Sequence, residues 1–138
     1  ASKGLKTLKL RIEKHSENAE KVFKYLKSKK IVKKILYLPD PRNKFHTLWK
    51  KYHKLNNGLI TFSIQKRKNI SLFIDKLTFF KIGFSWGGFE SLIIPINNIK
   101  PTKKMSKKNE YWFRIHVGLE SYSDLINDLE KAFRNYEN

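Results

Sequence analysis

The sequence predicts an α+β fold, a sandwich in which helices cover one face of a small, mainly antiparallel sheet. Three observations carry that expectation. Residues 5–28 and 121–136 repeat apolar side chains at three- and four-residue steps, the pattern of amphipathic helices. Residues 59–65 and 111–117 alternate apolar and polar side chains, the pattern of half-buried strands. Along the chain the order is helix, strand, helix, strand, helix, one or two strands, strand, helix, with no internal repeat and no interior linker. At 138 residues this suits one domain, long enough to bury about two thirds of its unfolded surface.

The first helix takes its stripe from Leu5, Leu8, Ile12, Ala19, Val22, Phe23 and Leu26, with Lys, Arg and Glu opposite. His15 falls on the apolar side, where a satisfied core histidine is expected rather than a ligand. Residues 31–38 read as a strand that Pro39-Asp40-Pro41 ends. Phe45 to His53 reads as a short helix with Phe45, Leu48, Trp49 and Tyr52 on one side, and Asn56-Asn57-Gly58 as a turn. Leu59 to Gln65 sets Ile60, Phe62 and Ile64 against Thr61 and Ser63. Asn69 is placed to cap a helix bearing Ile70, Phe73, Ile74 and Leu77. Phe80 to Phe84 reads as a strand, residues 97–110 as a Lys-rich loop, and Tyr111 to Val117 as a strand with Trp112, Arg114 and His116 on one face. The last helix starts near Ser121, with Asp124 completing a capping-box variant and Tyr122, Leu125, Ile126, Leu129, Phe133 and Tyr136 as its stripe.

Composition narrows the class. Ten Phe, six Tyr and three Trp argue against disorder. There is no cysteine, which removes disulfides and thiolate metal sites and favours a cytoplasmic address. No apolar run approaches the roughly 18 residues of a membrane span, and the first residues carry no apolar leader. The formal net charge of +18 admits two readings. One is an electrostatic footprint for nucleic acid. The other, which the sequence favours, is drift toward Lys, Asn and Ile. The charge is mostly lysine spread along the chain, and arginine, suited to bidentate phosphate and base contacts, is scarce.

Two features stand apart as candidates for chemistry. The first is Gly83-Phe84-Ser85-Trp86-Gly87-Gly88-Phe89-Glu90-Ser91-Leu92, glycines around a serine and a tryptophan at a strand end. It reads either as a tight turn or as backbone shaped to approach a ligand. Residues 83–87 also match the Gly-x-Ser-x-Gly elbow of hydrolases, with His116 and Glu90, Glu110 or Asp124 as conceivable partners. That motif requires a helix directly behind the serine, and Gly88 followed by an extended-looking Ser-Leu-Ile-Ile-Pro argues against it. The second feature is Arg114, mid-strand between Phe113 and Ile115. An arginine there either snorkels to the surface or meets an anion, and its planar fork suits a carboxylate. His15, His46, His53 and His116 form no metal signature, and the Lys103–Lys108 run reads as a solvated loop.

In order along the chain, several segments resemble the C-terminal part of the Cys/Met-metabolism PLP-dependent enzymes. These are Ser2-Lys3-Gly4-Leu5-Lys6-Thr7-Leu8, Val32 to Pro39, Asn57-Gly58-Leu59-Ile60-Thr61-Phe62, Phe84 to Leu92, Arg114-Ile115-His116-Val117-Gly118-Leu119-Glu120, and Asp124 to Leu129. The Ser-Trp-Gly-Gly-aromatic-Glu-Ser-Leu run followed by Arg-x-x-x-Gly-Leu-Glu is the specific pair, and Trp86 leans toward the β-lyase branch.

The resemblance implies the small C-terminal domain of fold-type I PLP enzymes, with residues 1–30 as a linking helix and 31–138 as the sandwich. It implies that Arg114 binds a substrate α-carboxylate, that Ser85 and Trp86 line the site, and that Glu90 and the glycines shape the loop. The implied cofactor is pyridoxal 5'-phosphate (PLP), and the implied substrate L-cystathionine or a related thioether amino acid, cleaved to homocysteine, pyruvate and ammonia. A PLP-binding domain or subunit would lie N-terminal to this chain, and the complete protein would be a homo-oligomer. Three departures accompany the match: Phe84 where Tyr is usual, Ser121 where Asp is favoured, and no Ser-x-Thr-Lys for the Schiff-base lysine. No catalytic or cofactor-binding residue is therefore assigned within the chain. The alternatives are a decayed or split-gene fragment without activity and a basic nucleic-acid-binding module.

Overall fold

The computed structural model describes residues 2–96 and 109–138. Helix α1 (Ser2–Lys6) and helix α2 (Leu8–Ser28) stand where one continuous helix was expected. The break is Thr7, whose φ of −103° and ψ of 1° leave helical geometry for one residue. Strand β1 (Val32–Leu36), helix α3 (His46–Tyr52), strand β2 (Leu59–Gln65) and helix α4 (Ser71–Ile74) follow. Strands β3 (Lys81–Ile82), β4 (Leu92–Pro95) and β5 (Glu110–His116) precede helix α5 (Tyr122–Glu137).

The five strands form one sheet in the order β1-β2-β5-β4-β3. All neighbours are antiparallel except β3 and β4. The fold is thus the expected α+β arrangement, mixed at one edge. The alternation in β2 and β5 works out in register: Ile60 faces Ile115 and Phe62 faces Phe113 on the core side, while Thr61 faces Arg114 on the other. The core joins that side to α2 through Ala19, Val22 and Leu26, to α4 through Phe73, and to α5 through Leu125, Leu129 and Phe133. The Phe73 ring bridges sheet and helix, 5.1 Å from Phe113 and 5.0 Å from Phe133.

The second face of the sheet is not an ordinary solvent face. Ser63, Trp112 and His116 lie on it and are buried, while Arg114 is half-buried.

Several elements are shorter than their patterns suggested. The strand expected over residues 80–84 pairs only at Lys81 and Ile82, and β1 stops at Leu36. Asn69 accepts the Ser71 amide at 3.0 Å but stands one residue before the N-cap position, Ile70, and the helix lasts one turn. Leu77 packs on the core beyond that turn's end. Helix α3 buries none of its stripe, and Phe45, Leu48 and Tyr52 are exposed. In α5 the Ser121 hydroxyl turns to Ser123 at 2.7 Å instead of capping the helix, and Tyr122 is exposed. Of the Lys-rich stretch 97–110, residues 97–108, including the Lys103–Lys108 run, lie outside the described residues.

Two polar side chains on α5 set the outer elements. Tyr136 accepts the Arg67 amide at 2.9 Å and donates to the Gln65 carbonyl at 3.1 Å, fixing the end of β2. Buried Asp128 accepts the amides of Thr78, Phe79 and Phe80 at 2.8, 2.9 and 3.1 Å and the Thr78 hydroxyl at 2.8 Å. Those residues lead directly into β3, so Asp128 aims the chain as it enters the Gly83–Ser91 loop.

Candidate substrate-side site

Residues 83–91 connect two adjacent parallel strands, and the loop doubles back over the second face of the sheet. Gly87 permits the reversal: its φ of +84° lies in the left-handed region open to glycine. The loop's backbone is tied down while its side chains point outward. Phe84, Trp86 and Phe89 are 80%, 57% and 68% exposed, and Ser85 is exposed too.

The ties come from two neighbouring elements. From β5, Arg114 Nη2 donates to the Phe84 carbonyl at 2.5 Å, and His116 Nε2 receives the Gly87 amide at 3.2 Å. From α2, Arg11 Nη1 donates to the Gly87 carbonyl at 2.8 Å, and His15 Nε2 stands 2.8 Å from the Gly88 carbonyl. The end of the loop is held by Glu120, which accepts the Ser91 amide at 2.7 Å and the Ser91 hydroxyl at 2.8 Å. Ser91 Oγ in turn accepts the Gly118 amide at 2.8 Å. Asn18 completes the link to α2, donating to the Gly118 and Glu120 carbonyls at 2.9 and 2.7 Å.

His15 and His116 are buried and their rings meet edge to face with centroids 4.8 Å apart. Burial is the main reason both pKa values lie below the ordinary 6.5, since a charged imidazole loses its hydration there. The hydrogen bond to Gly88 and the Glu120 carboxylate pull the other way.

Of the residues singled out in the sequence, Arg114, Ser85 and Trp86 come together at this loop. Arg114 is half-buried, its hydrogen bond among the described residues is to Phe84, and it forms no ion pair there. Glu90 is exposed, and the carboxylate that shapes the loop is Glu120. The hydrolase reading fails on geometry: no helix follows Ser85, and His116 is engaged with Gly87 instead of the serine. Arg11, His15 and Asn18 were not singled out as a set, although their i, i+4, i+7 spacing places all three on one helical face and is the signal that could have found them.

A Schiff-base lysine works from an enclosed pocket, and no described lysine side chain is buried: each is exposed or half-buried. No group of three or more potential metal ligands occurs among the described residues, and no described helix is long and apolar enough to cross a membrane.

Comparison with known proteins places this arrangement. Residues 1–134 match the family model described as Cys/Met metabolism PLP-dependent enzyme. The chain is 36% identical over 137 residues to the L-alanine/L-glutamate racemase of Wolbachia pipientis wMel, covering 96% of this chain and 34% of that protein. It is 33% identical over 140 residues to the cystathionine beta-lyase of Escherichia coli (strain K12), covering 96% of this chain and 35% of that one. Among solved structures, one assigned as an O-acetylhomoserine (thiol)-lyase of Campylobacter jejuni superposes with a TM-score of 0.83 at 36% identity, over 96% of this chain and 32% of its own. That structure carries N'-pyridoxyl-lysine-5'-monophosphate. The chain thus spans about a third of the length of the curated relatives it matches.

Proposed function

The chain belongs to the Cys/Met metabolism PLP-dependent enzymes, and on that premise we propose that it forms the C-terminal, substrate-side domain of a cystathionine β-lyase-like carbon–sulfur lyase. The complete enzyme would take L-cystathionine and water to homocysteine, pyruvate and ammonia. PLP, held by residues outside this chain, supplies the electron sink in such enzymes. Residues 1–30 would link the two domains, and the assembled protein would be a cytoplasmic homo-oligomer. Alone, the 138 residues would have no lyase activity.

The observation that carries this reading is Arg114. A guanidinium has five N–H donors, and among the described residues this one spends a single bond, on the carbonyl of Phe84, which precedes Ser85 and Trp86 in the loop, while standing half-buried. A cation kept out of full solvent with no acidic partner among the described residues is a ready site for a carboxylate. Bidentate capture of the α-carboxylate would orient the amino acid, and the Trp86 and Phe84 rings would shield it from water.

The test is product analysis with the complete polypeptide that carries these residues, loaded with PLP. Equal release of pyruvate and ammonia from L-cystathionine supports the reading. D-alanine formed from L-alanine without pyruvate would replace it with a racemase. An intact native mass well above 16.5 kDa supports the domain assignment, and a mass near that value overturns it.

A further inference from the structure

Two buried imidazoles, 4.8 Å apart, converge on the two glycines that follow Trp86. The Gly88 carbonyl can only accept, so His15 at 2.8 Å must carry its proton on Nε2 and donate. The Gly87 amide can only donate, so His116 Nε2 at 3.2 Å must be unprotonated, with the ring proton on Nδ1. His116 Nε2 also lies 3.3 Å from the Gly88 carbonyl, the longer contact and one that His15 already satisfies. His116 Nδ1 is buried without a partner among the described residues and faces Gly58, where even an added Cβ would come within 2.8 Å. An orphaned buried nitrogen has a cost, and the fold retains it together with the single useful bond on the other side of the ring.

We propose that His116 and His15, assisted by Arg11, are positioning residues that fix the Gly87–Gly88 backbone and thereby set where Ser85 and Trp86 stand relative to Arg114. This rests on the substrate-side reading given above. The logic is geometric. Arg114 and His116 are two residues apart on one face of β5 and hold Phe84 and Gly87, the residues flanking Ser85-Trp86. His15 and Arg11 hold the same turn from α2.

The two histidines have opposite proton requirements. Adding a proton to His116 turns its acceptor into a donor, which ends the bond to the Gly87 N–H and leaves only the longer contact to the Gly88 carbonyl, which His15 already holds. Adding one to His15 leaves its bond to Gly88 intact. The charged groups facing the pair are Arg11 from α2, Arg114 from β5, and Glu120 from the turn before α5. The arginines disfavour the protonated ring and Glu120 favours it. The Gly87–His116 bond is therefore intact at neutral pH and is lost on the acid side, below 6.5, while the ties from Arg11, His15 and Arg114 remain.

The experiment is hydrogen–deuterium exchange of the peptide covering residues 84–89 in the complete holoenzyme, read with steady-state kinetics. His116→Gln puts Oε1 where Nε2 was and keeps an acceptor for Gly87. His116→Asn is one methylene too short, and His116→Phe has no acceptor. Exchange at fixed pH should rise about tenfold in the Phe and Asn variants, the unprotected amide losing roughly one hydrogen bond's worth of closure. It should stay near wild type in the Gln variant. In parallel, kcat/KM should fall at least tenfold in the first two with unchanged PLP absorbance, and the acid limb of the wild-type pH profile should vanish in His116→Gln. Should His116→Phe fail to fold, the Asn–Gln contrast still decides. Equal exchange in Asn and Gln variants, or an acid limb that survives in Gln, overturns the proposal. Exchange needs no turnover, so an enzyme that cleaves no thioether overturns the lyase reading while leaving this one to stand or fall on the peptide.

Discussion

The Tyr25 hydroxyl of α2 donates to Glu130 Oε2 of α5 at 2.5 Å, and Lys29 and Arg134 bond the same carboxylate. Tyr25 and Lys29 thus clip the end of α2 to Glu130 of α5, and Arg134 braces that carboxylate from within α5. The Lys29 and Tyr25 hydrogen bonds are the leading causes that hold the Glu130 pKa down to about 2 from 4.5, and Tyr25 is pushed up by burial and by Glu130. A carboxyl whose folded pKa lies below its unfolded value adds stability above pH 4.5 and loses it as pH falls toward 2. After screening at a partly exposed site, that amounts to about 1–2 kcal/mol. Glu130→Gln should lower the urea midpoint at pH 7 and flatten the decline between pH 4.5 and 2. An unchanged midpoint at pH 7 would remove Glu130 from the account of how the two helices are joined.

Asp128 makes a different demand. It is buried and holds three successive amides and a hydroxyl at the entry to β3. Asp128→Ala strands those donors, and we expect a loss of about 2–4 kcal/mol in urea unfolding, tempered by water reaching the half-open turn. Asp128→Asn should recover only part, because its amide nitrogen would face an N–H. Because the damage is at the loop's entry, proteolysis should nick near residues 78–86 before the rest of the domain opens.

The sheet and its helices were legible because each follows a single period. The i, i+2 pattern of Ile60, Phe62 and Ile64 and of Phe113, Ile115 and Val117 became the buried face of the sheet, and α2 and α5 bury most of their expected stripes. Boundaries were less legible where tertiary contacts override local pattern. Phe80 to Phe84 reads as strand by composition, but Asp128 captures the Phe80 amide and those of Thr78 and Phe79 just before it, and two residues are left for pairing. The stripe of α3 resembles a core face, yet Phe45, Leu48 and Tyr52 are exposed in the described chain. At the site, Arg114, Ser85 and Trp86 could be named from motif. The His15–His116 pair could not, because its members lie 101 positions apart in sequence and meet only once the sheet is closed over α2.

Glycines at the site should differ sharply in tolerance. A Cβ on Gly118 would come within 2.3 Å of the Phe89 carbonyl and 2.5 Å of Glu120 Oε2, so Gly118→Ala must displace the loop end and should cost about 1–3 kcal/mol. A Cβ on Gly88 meets nothing within 4 Å, and Gly88→Ala should leave the midpoint within about 0.5 kcal/mol of wild type. Gly87 has equal room but a φ of +84°, so Gly87→Ala should cost about 1 kcal/mol from backbone strain alone. Thermal unfolding of the three variants checks the order. A Gly118→Ala protein as stable as Gly88→Ala would mean that the loop end is not packed as described.

Arg114 offers the sharpest kinetic separation. Among the described residues its guanidinium has one bond, to the Phe84 carbonyl, and no ion pair. Removing it should therefore disturb the fold little and the substrate much. In the complete PLP-loaded enzyme, Arg114→Ala should raise KM for a thioether amino acid about 100-fold. At 1.36 kcal/mol per tenfold, that corresponds to about 2.7 kcal/mol, within the range for charge-assisted hydrogen bonds to one carboxylate. Arg114→Lys keeps the charge but not the fork, so it should fall between the two. If Arg114 served only to hold Phe84, both variants would lower kcat and thermal stability together and leave KM near wild type. A KM unchanged in Arg114→Ala would sink the carboxylate role, whereas a KM effect that disappears with a substrate amide in place of the carboxylate would tie it to that group.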